Sequence, residues 1–510
     1  MEQNCLKTNV YVNENIVNES AEQPIDVDFT LPDFCPDISK IFKCRAVSRI
    51  SSKGINGRTV NMEGSVCITL LYADSDAVLR SYEYQYPFSK SIEVSEDCTG
   101  GNLCCHTRCE YINCRAVTGR KIDIHGAIGI YYRVFRRRAT EIISDIDDPN
   151  IELRHGTAPA TTPMGYAEKY LVIEEDVELG QGQPPIESLL RYDANACIRE
   201  SKIINDKIIV KGDLIISALY CSEDGNSPQL LKSSIPFSQI IEMEGVSENC
   251  ECDIGVEVAF IELKPRTSAA GEARSLQLGA KLLITAEAYC NNDIAVVLDA
   301  YSRKYQAEIS RSKICFEKIT ENICETYHCK KNISVDSPIN SVSDLWCDVQ
   351  NINTKCESDC ISVSGSILVG IIVSDAENGA GFKERSIDFE YKYSLTKPLK
   401  MPRCNPQIEV ASCGYTITGP DNIELRIDLS INAAVYECSN VPLIIDMNVD
   451  HSKSSEKTVN SAMIIYFADS GEFVWDIARR YSASVNDVMK INGLENDEIS
   501  EQRMIMIPIQ

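Results

Sequence analysis

Hydrophobic and polar residues alternate with a period of two over long stretches of this chain. In one stretch Ile208, Val210, Leu214, Ile216, Ala218 and Tyr220 face one way, with Lys207, Lys211, Asp213 and Ser217 opposite. In another, Ile361, Val363, Ile367, Val369, Ile371 and Val373 face away from Ser362, Ser364 and Ser366. Ile122, Ile124, Ile128 and Ile130 follow the same rule, as do Leu276, Leu278, Leu282 and Ile284. So do Ile423, Leu425, Ile427, Leu429 and Ile431, against Glu424, Arg426, Asp428 and Asn432. This period predicts half-buried antiparallel strands. It changes near the C-terminus. Val474, Ile477, Ala478 and Tyr481 are spaced as one stripe of a helix. Ser484 to Asp487 reads as the cap of a second helix that buries Val485, Val488 and Met489 and ends at Asn492-Gly493. Strands at Ile464 to Phe467 and Met504 to Ile509 flank the pair.

The strand-rich part is written three times. Each copy has an isoleucine one or two residues after a proline, a glycine 26 residues later and a strand end 8 residues after that. The anchors are Ile38, Gly64 and Tyr72, then Ile186, Gly212 and Tyr220, then Ile339, Gly365 and Val373. A shared aromatic element, Tyr86-Pro87-Phe88-Ser89, Ile235-Pro236-Phe237-Ser238 and Tyr391-Lys392-Tyr393-Ser394, reads as core aromatics on a bent strand. A copy of about 150 residues is too long for a solenoid unit of ~20–50 residues. Each is expected to be a β-sandwich or curled antiparallel sheet with its own core. The fold class is therefore multidomain and mainly β, with three tandem antiparallel β-rich domains and a small β-α-α-β module. The boundaries expected are 1–144, a linker at 145–166 carrying Pro149, Pro159 and Pro163, 167–304, 305–450, a polar linker at 451–462, and 463–510.

A net charge of −25 argues against nucleic acid as the main partner, since phosphate binding needs a basic footprint. Met1 to Thr8 lacks the pattern of a signal peptide, and no stretch approaches the ~20 apolar residues of a membrane span. The expectation is a cytosolic chain without membrane insertion. Its 23 cysteines should then be reduced. They do not recur between copies, so most are expected to be small buried hydrophobes. The densest group, Cys98, Cys104, Cys105, Cys109 and Cys114 beside His106, has no paired-ligand spacing. No metal and no cofactor is expected. No phosphate loop, HExxH or GxSxG is found, and the five histidines are scattered, so no enzyme and no catalytic residue is expected.

The C-terminal order, with Gly471, Trp475-Asp476-Ile477-Ala478, Tyr481, Ile491-Asn492 and Ile507-Pro508, resembles a LysM domain. Such domains bind N-acetylglucosamine chains of peptidoglycan or chitin in a groove between the first strand–helix loop and the second helix–strand loop. Here Gly471-Glu472-Phe473-Val474 stands where the family commonly has Gly-Asp-Thr-Leu, and Ser500-Glu501 stands at the usual Pro-Gly turn. A phenylalanine on the groove rim suits a protein partner. The resemblance implies a partner-binding set of Phe473, Val474, Trp475, Asn492 and Leu494, with Trp475 shared between core and interface. The repeats open with Pro36-Asp37-Ile38 and Ile41, Pro184-Pro185-Ile186 and Leu189, and a shortened Pro338-Ile339 and Val342. They resemble SPOCS domains of spore-forming bacteria. The whole chain is similar to spore coat morphogenetic proteins that join such repeats to a LysM domain. That resemblance implies a scaffold in the mother-cell cytoplasm at the forespore surface. It also implies binding to the ATPase called stage IV sporulation protein A through the LysM domain, with other coat proteins as candidate partners. The alternative is a wall-binding protein whose LysM domain takes peptidoglycan.

Overall fold

The computed structural model describes residues 5–222, 228–268, 271–335, 338–375, 379–454 and 462–509. The first domain runs β1 (Cys5–Thr30), β2 (Lys40–Asn56), β3 (Thr59–Ala73), β4 (Leu79–Glu93), β5 (Asn102–Ala116) and β6 (Lys121–Ile146). The order β2-β3-β4 makes one sheet and β1-β6-β5 the other. The second domain repeats this with β7 (Ile151–Glu178), β8 (Ser188–Ile204), β9 (Lys207–Cys221), β10 (Gln229–Glu242), β11 (Cys250–Thr267) and β12 (Ala273–Ser302). The third does so with β13 (Tyr305–Ser334), β14 (Ser341–Cys356), β15 (Cys360–Asp375), β16 (Gly379–Ser394), β17 (Pro402–Cys404), β18 (Gln407–Ile417) and β19 (Asn422–Ser454). There β17 and β18 share the outer position beside β19. Each domain is a sandwich of two small antiparallel sheets around one apolar core, and the predicted alternating positions fill those cores.

The repeated anchors have a common mechanical meaning. The Ile38 amide donates to Gly119 O at 2.7 Å, Ile186 to Ala273 O at 2.8 Å and Ile339 to Pro420 O at 2.7 Å. The lead-in of each copy is thereby tied to the start of the opposite sheet's long strand. The tyrosine at the strand end closes the same loop: Tyr72 Oη donates to Pro36 O and Tyr220 Oη to Pro184 O, each at 3.2 Å. Val373 lacks the hydroxyl, which matches the shortened third lead-in. The glycine is required by close approach. Gly64, Gly212 and Gly365 pair with Phe88, Phe237 and Phe389 on the next strand. A Cβ on Gly212 would lie 2.3 Å from Cys197 O and 2.5 Å from Phe237 Cζ. On Gly64 it would meet Arg49 O at 2.2 Å, but on Gly365 the nearest carbonyl, Gln350 O, is 3.0 Å away. Gly212→Ala should therefore cost about 3 kcal/mol or more, because a backbone carbonyl cannot swing aside as a side chain can. Gly365→Ala should cost clearly less. Urea unfolding of the full chain checks this order, and equal costs would refute the carbonyl argument. The third aromatic is thus Phe389, buried opposite its glycine, and not Tyr391 or Tyr393 as the sequence pattern suggested.

The expected linker at 145–166 is strand instead. β6 runs to Ile146 and β7 begins at Ile151. Pro159 and Pro163 are tolerated because β7 is an edge strand, paired only with β12. The domains therefore meet within a few residues. Of the second expected linker, 451–454 continue β19 and 455–461 lie outside the described residues.

The three domains close into a ring with approximate threefold symmetry. The third meander strand of each domain touches the first meander strand of the next: β4 meets β8, β10 meets β14, and β16 meets β2. Equivalent positions near the axis have diverged into partners. Five residues after the anchor isoleucine stand Lys43, Arg191 and Asp344; seven after stand Arg45, Asp193 and Trp346. Arg191 Nε donates to Asp344 at 2.9 Å, and Arg45 bonds Asp193 as well as Asp348, the latter at 2.7 Å. Arg191 also lies over the Trp346 ring at 4.6 Å. Burial pushes the Arg191 pKa down, and the charge of Asp344 offsets that. Leu71, Leu219 and Ile372, again equivalent, pack with Leu190 and Trp346 beside this cluster. Identical like charges at three axial positions would repel; complementary ones fix which domain neighbours which.

The long strands also leave the sandwiches together. β1, β7 and β13 each carry an extra residue, Ile16, Met164 and Thr320, opposite equivalent steps in β6, β12 and β19. Such bulges bend a strand pair. Beyond them the three ribbons form a stalk around Val10, Ile142, Ala158, Val296, Phe316 and Leu443. Where the stalk begins, Arg133 Nη2 donates to Glu287 Oε2 at 2.7 Å; these again occupy equivalent positions.

The cysteines divide. Cys250 and Cys290, directly opposite each other on β11 and β12, form a disulfide, so the expectation of a fully reduced chain is not met. Among the others, Cys35, Cys44, Cys98, Cys105, Cys221, Cys329 and Cys438 are buried and most of the rest are half-buried. The dense group near His106 is strung along β5 and the turn before it.

Candidate protein-docking site

The C-terminal module has β20 (Met463–Ala468), α1 (Val474–Arg480), α2 (Val485–Asn492) and β21 (Arg503–Pro508), with β20 antiparallel to β21. Its order is the predicted one. Ser484 caps α2 by accepting from the Asp487 amide at 3.4 Å, and Gly493 ends it in the left-handed region at φ 60°. Phe473, at the N-cap of α1, supplies no side-chain bond. Asp497 does that work from the other loop: its main-chain oxygen accepts from the Val474 amide at 2.7 Å, and its carboxylate accepts from the Trp475 amide at 2.9 Å. Phe473 and Glu498 also form a β-bridge. The two loops expected to flank a glycan groove are thereby joined to each other.

The module is docked on the second domain, at the end of the stalk. Trp475 is only 3% exposed. Its Nε1 donates to Asp299 Oδ2 at 3.0 Å, and Arg479 donates to the same oxygen at 2.6 Å. Arg311 of the third domain holds the other Asp299 oxygen. Tyr301 meets Trp475 edge-on with centroids 5.0 Å apart and donates its hydroxyl to Ala483 O at 2.7 Å. Tyr301 belongs to the module's own core, and burial pushes its pKa up. Arg154 reaches Asp497 at 3.5 Å and lies over the Phe473 ring at 5.2 Å.

The five site residues expected from sequence therefore separate. Val474 is core, with no exposed surface. Trp475 and Phe473 face the second domain. Asn492 pins the last strand: its Nδ2 donates to Met506 O at 2.7 Å and its Oδ1 accepts from Met506 N at 2.8 Å. Leu494 packs half-buried against the module's core.

The most apolar exposed surface of the module was not in that set. On the sheet, Ile464, Tyr466, Ile505 and Ile507 face inward, and Ile505 and Ile507 are fully buried. The outward positions are also apolar: Met463, Ile465 at 60% exposure, Phe467 at 70%, Met504 at 58% and Met506. Ile465 lies opposite Met506 and Phe467 opposite Met504, so the side chains form one patch. A two-sided apolar sheet was legible as Met463-Ile464-Ile465-Tyr466-Phe467 and Met504-Ile505-Met506-Ile507, runs without the alternation seen elsewhere.

Comparison with known proteins fits this geometry. The family described as SipL, SPOCS domain matches residues 37–117 and 185–265. The LysM domain matches residues 469–508. No curated protein and no solved structure matches the chain. SPOCS and LysM domains are binding domains rather than catalytic ones. Among the described residues, no helix is long and apolar enough to cross a membrane. With two SPOCS matches, a third domain of the same strand order and a terminal LysM domain, this is a SipL-like chain, a multidomain and mainly β protein of sporulation.

Proposed function

We propose that this protein is a non-enzymatic scaffold of the bacterial spore envelope that binds the stage IV sporulation protein A ATPase through its LysM domain. It acts in the mother-cell cytoplasm at the forespore surface and helps to place coat layers there. The observation that carries this reading is the apolar outer face of the LysM sheet, on a module whose other side is fixed to the SPOCS ring. Exposed apolar clusters on soluble domains mark contact surfaces, and methionine adapts to a partner's shape. The ring offers a rigid base with separate faces for other coat proteins, so weak contacts add when the partner is polymeric.

Ile465→Thr with Phe467→Thr places β-branched residues in β20 and removes the two most exposed apolar side chains of the patch. Co-purification of the full chain with the ATPase should fall at least tenfold, about the loss of 1.4 kcal/mol or more expected of an interface anchor. Unchanged binding by the folded variant would overturn this face as the contact. Retention of the wild-type chain on purified peptidoglycan at physiological salt, with no ATPase binding, would move the protein to the wall.

A further inference from the structure

The Cys250–Cys290 disulfide sits where the second domain narrows into the stalk. Cys250 is the first residue of β11 and lies directly opposite Cys290 on β12. The two sulfurs are bonded, with the Cα atoms 4.2 Å apart. Beyond Cys290, β12 runs on to Ser302 paired with β7 alone.

The residues beside each cysteine reach the other two domains. Next to Cys250, Glu251 Oε2 accepts from Asn322 Nδ2 of the third domain at 2.9 Å. Next to Cys290, Tyr289 Oη accepts from Asn13 Nδ2 of the first domain at 3.4 Å and meets Tyr436 of the third edge-on. On the other side, Asn291 Nδ2 donates to Ile319 O of the third domain at 3.1 Å. The bond thus ties together two strands whose flanking residues hold the junction of all three domains. The equivalent places elsewhere are closed without sulfur. Arg136, equivalent to Cys290 in the first domain, donates to Asp97 O at 3.3 Å. Glu437, its equivalent in the third, accepts from the Lys400 amide at 3.3 Å. Among the described residues, a covalent bond is used here in the second domain alone, the one whose β12 also carries the LysM dock.

We propose that Cys250–Cys290 is a reversible redox staple, opened by a small thiol of the glutathione class that attacks at Cys290, and that opening it loosens the junction of the three domains. The surroundings set the direction of attack. Cys250 is 5% exposed, and its sulfur accepts a hydrogen bond from the Ser247 amide at 3.5 Å. Cys290 is half-buried. An incoming thiolate therefore meets the Cys290 sulfur first. Cys250 is the better leaving group, because the Ser247 N–H stabilises the thiolate it becomes. Once the bond is open, Cys250 is an end residue of an edge strand held by its ladder alone, and such ends fray. Fraying there withdraws Glu251 from Asn322.

The reaction is thiol–disulfide exchange. A glutathione thiolate attacks Cys290 Sγ; the protein S–S bond breaks, and Cys250 leaves as a thiolate that takes up a proton. A second glutathione thiolate attacks the glutathione sulfur of the mixed disulfide, and Cys290 leaves and is protonated. One protein disulfide is reduced to two thiols, and two glutathione molecules are oxidised to their disulfide. Oxidised glutathione closes the staple by the reverse course.

The test compares the full chain in its oxidised and reduced forms. Brief exposure of the oxidised chain to reduced glutathione, then trapping with N-ethylmaleimide and peptide mapping by mass, should find glutathione on Cys290 and N-ethylmaleimide on Cys250. Long exposure should leave N-ethylmaleimide on both. Amide hydrogen exchange should then rise about tenfold or more in 250–254 and 287–291, and also in 13–15 and 319–323, since a cross-link suppresses opening by at least that factor. Oxidised glutathione should restore slow exchange. Cys250→Ser with Cys290→Ser, if folded by circular dichroism, should exchange like the reduced chain in these segments and respond to neither reagent. That separates the staple from the other cysteines. Equal exchange in the two wild-type forms, glutathione trapped on Cys250, or no linked Cys250–Cys290 peptide after oxidation would overturn the proposal. Should the serine variant not fold, the wild-type map and exchange decide between these results.

Discussion

Asp344→Ala should lower the stability of the three-domain ring by about 3–5 kcal/mol, read as a lower urea midpoint of the full chain, because it strands the buried charge of Arg191. The Arg191 side chain is 3% exposed and that of Asp344 has no exposure. Asp344 further accepts from the Leu345 amide at 2.8 Å, so the substitution also loses a bond within its own strand. Asp193 stays beside Arg191 but already serves Arg45, and so compensates only in part. The companion variant separates specificity from stability. Arg191→Met with Asp344→Leu removes both charges at similar volume, and such exchanges are neutral or stabilising by about 1–4 kcal/mol in other proteins. A large loss for the single variant with recovery in the double variant would show that the pair selects domain order without adding net stability. A loss under about 1 kcal/mol for Asp344→Ala, the range of an exposed pair, would mean that water reaches the axis and the ring is not sealed there.

That ring was only partly legible in the sequence. The alternation of Ile361 to Val373 and of Ile423 to Ile431 gives strands and core faces correctly, because a period of two has one structural solution when one face is buried. The anchors Ile38, Gly64 and Tyr72 mark places where backbone or ring must approach closely, which is why their spacing survives while residues between them differ. What the pattern hides is association between copies. Lys43, Arg191 and Asp344 look like unrelated surface charges until the copies are superposed by their anchors, and only then do opposite signs fall on equivalent positions. The stalk was missed for a related reason. Val134 and Phe135 are adjacent and both buried, as are Ile142 and Ile143, which breaks the alternation where a ribbon turns from sandwich to stalk. The prolines of β7 then read as a linker because proline is rare in paired strands, although an edge strand accommodates it. In the LysM domain the helices and caps were legible, being local. The dock was not, since Tyr301 and Asp299 lie far away in sequence.

Trp475→Ala should cost about 3–5 kcal/mol of local stability, the usual range for removing a buried tryptophan. The loss should appear at two places distant in sequence. Amide hydrogen exchange should rise in 474–480, and also at the end of β12 around Asp299 and Tyr301, because Trp475 contacts both. Tyr301→Ala tests this from the other side. It leaves every LysM residue in place yet removes a ring from that domain's core and the bond to Ala483 O. If exchange in 474–480 rises with Tyr301→Ala as well, the LysM domain depends on the SPOCS ring for its packing. If it does not, the tryptophan serves the module alone. The comparison also decides how partner-binding data are read. On the proposed function, loss of ATPase binding by a charged residue at position 475 would not tell a contact of Trp475 with the partner from unfolding of the module around a buried charge. Asp299→Ala breaks the same anchor without altering the LysM domain. Retained ATPase binding by Asp299→Ala, beside its loss in the Ile465 and Phe467 variant, would assign recognition to the sheet face. It would leave Trp475 the role of orienting that face on the ring. Loss of binding with Asp299→Ala, in a chain whose sheet face is intact, would make the fixed orientation itself a condition of binding, as expected if the partner also contacts the SPOCS domains.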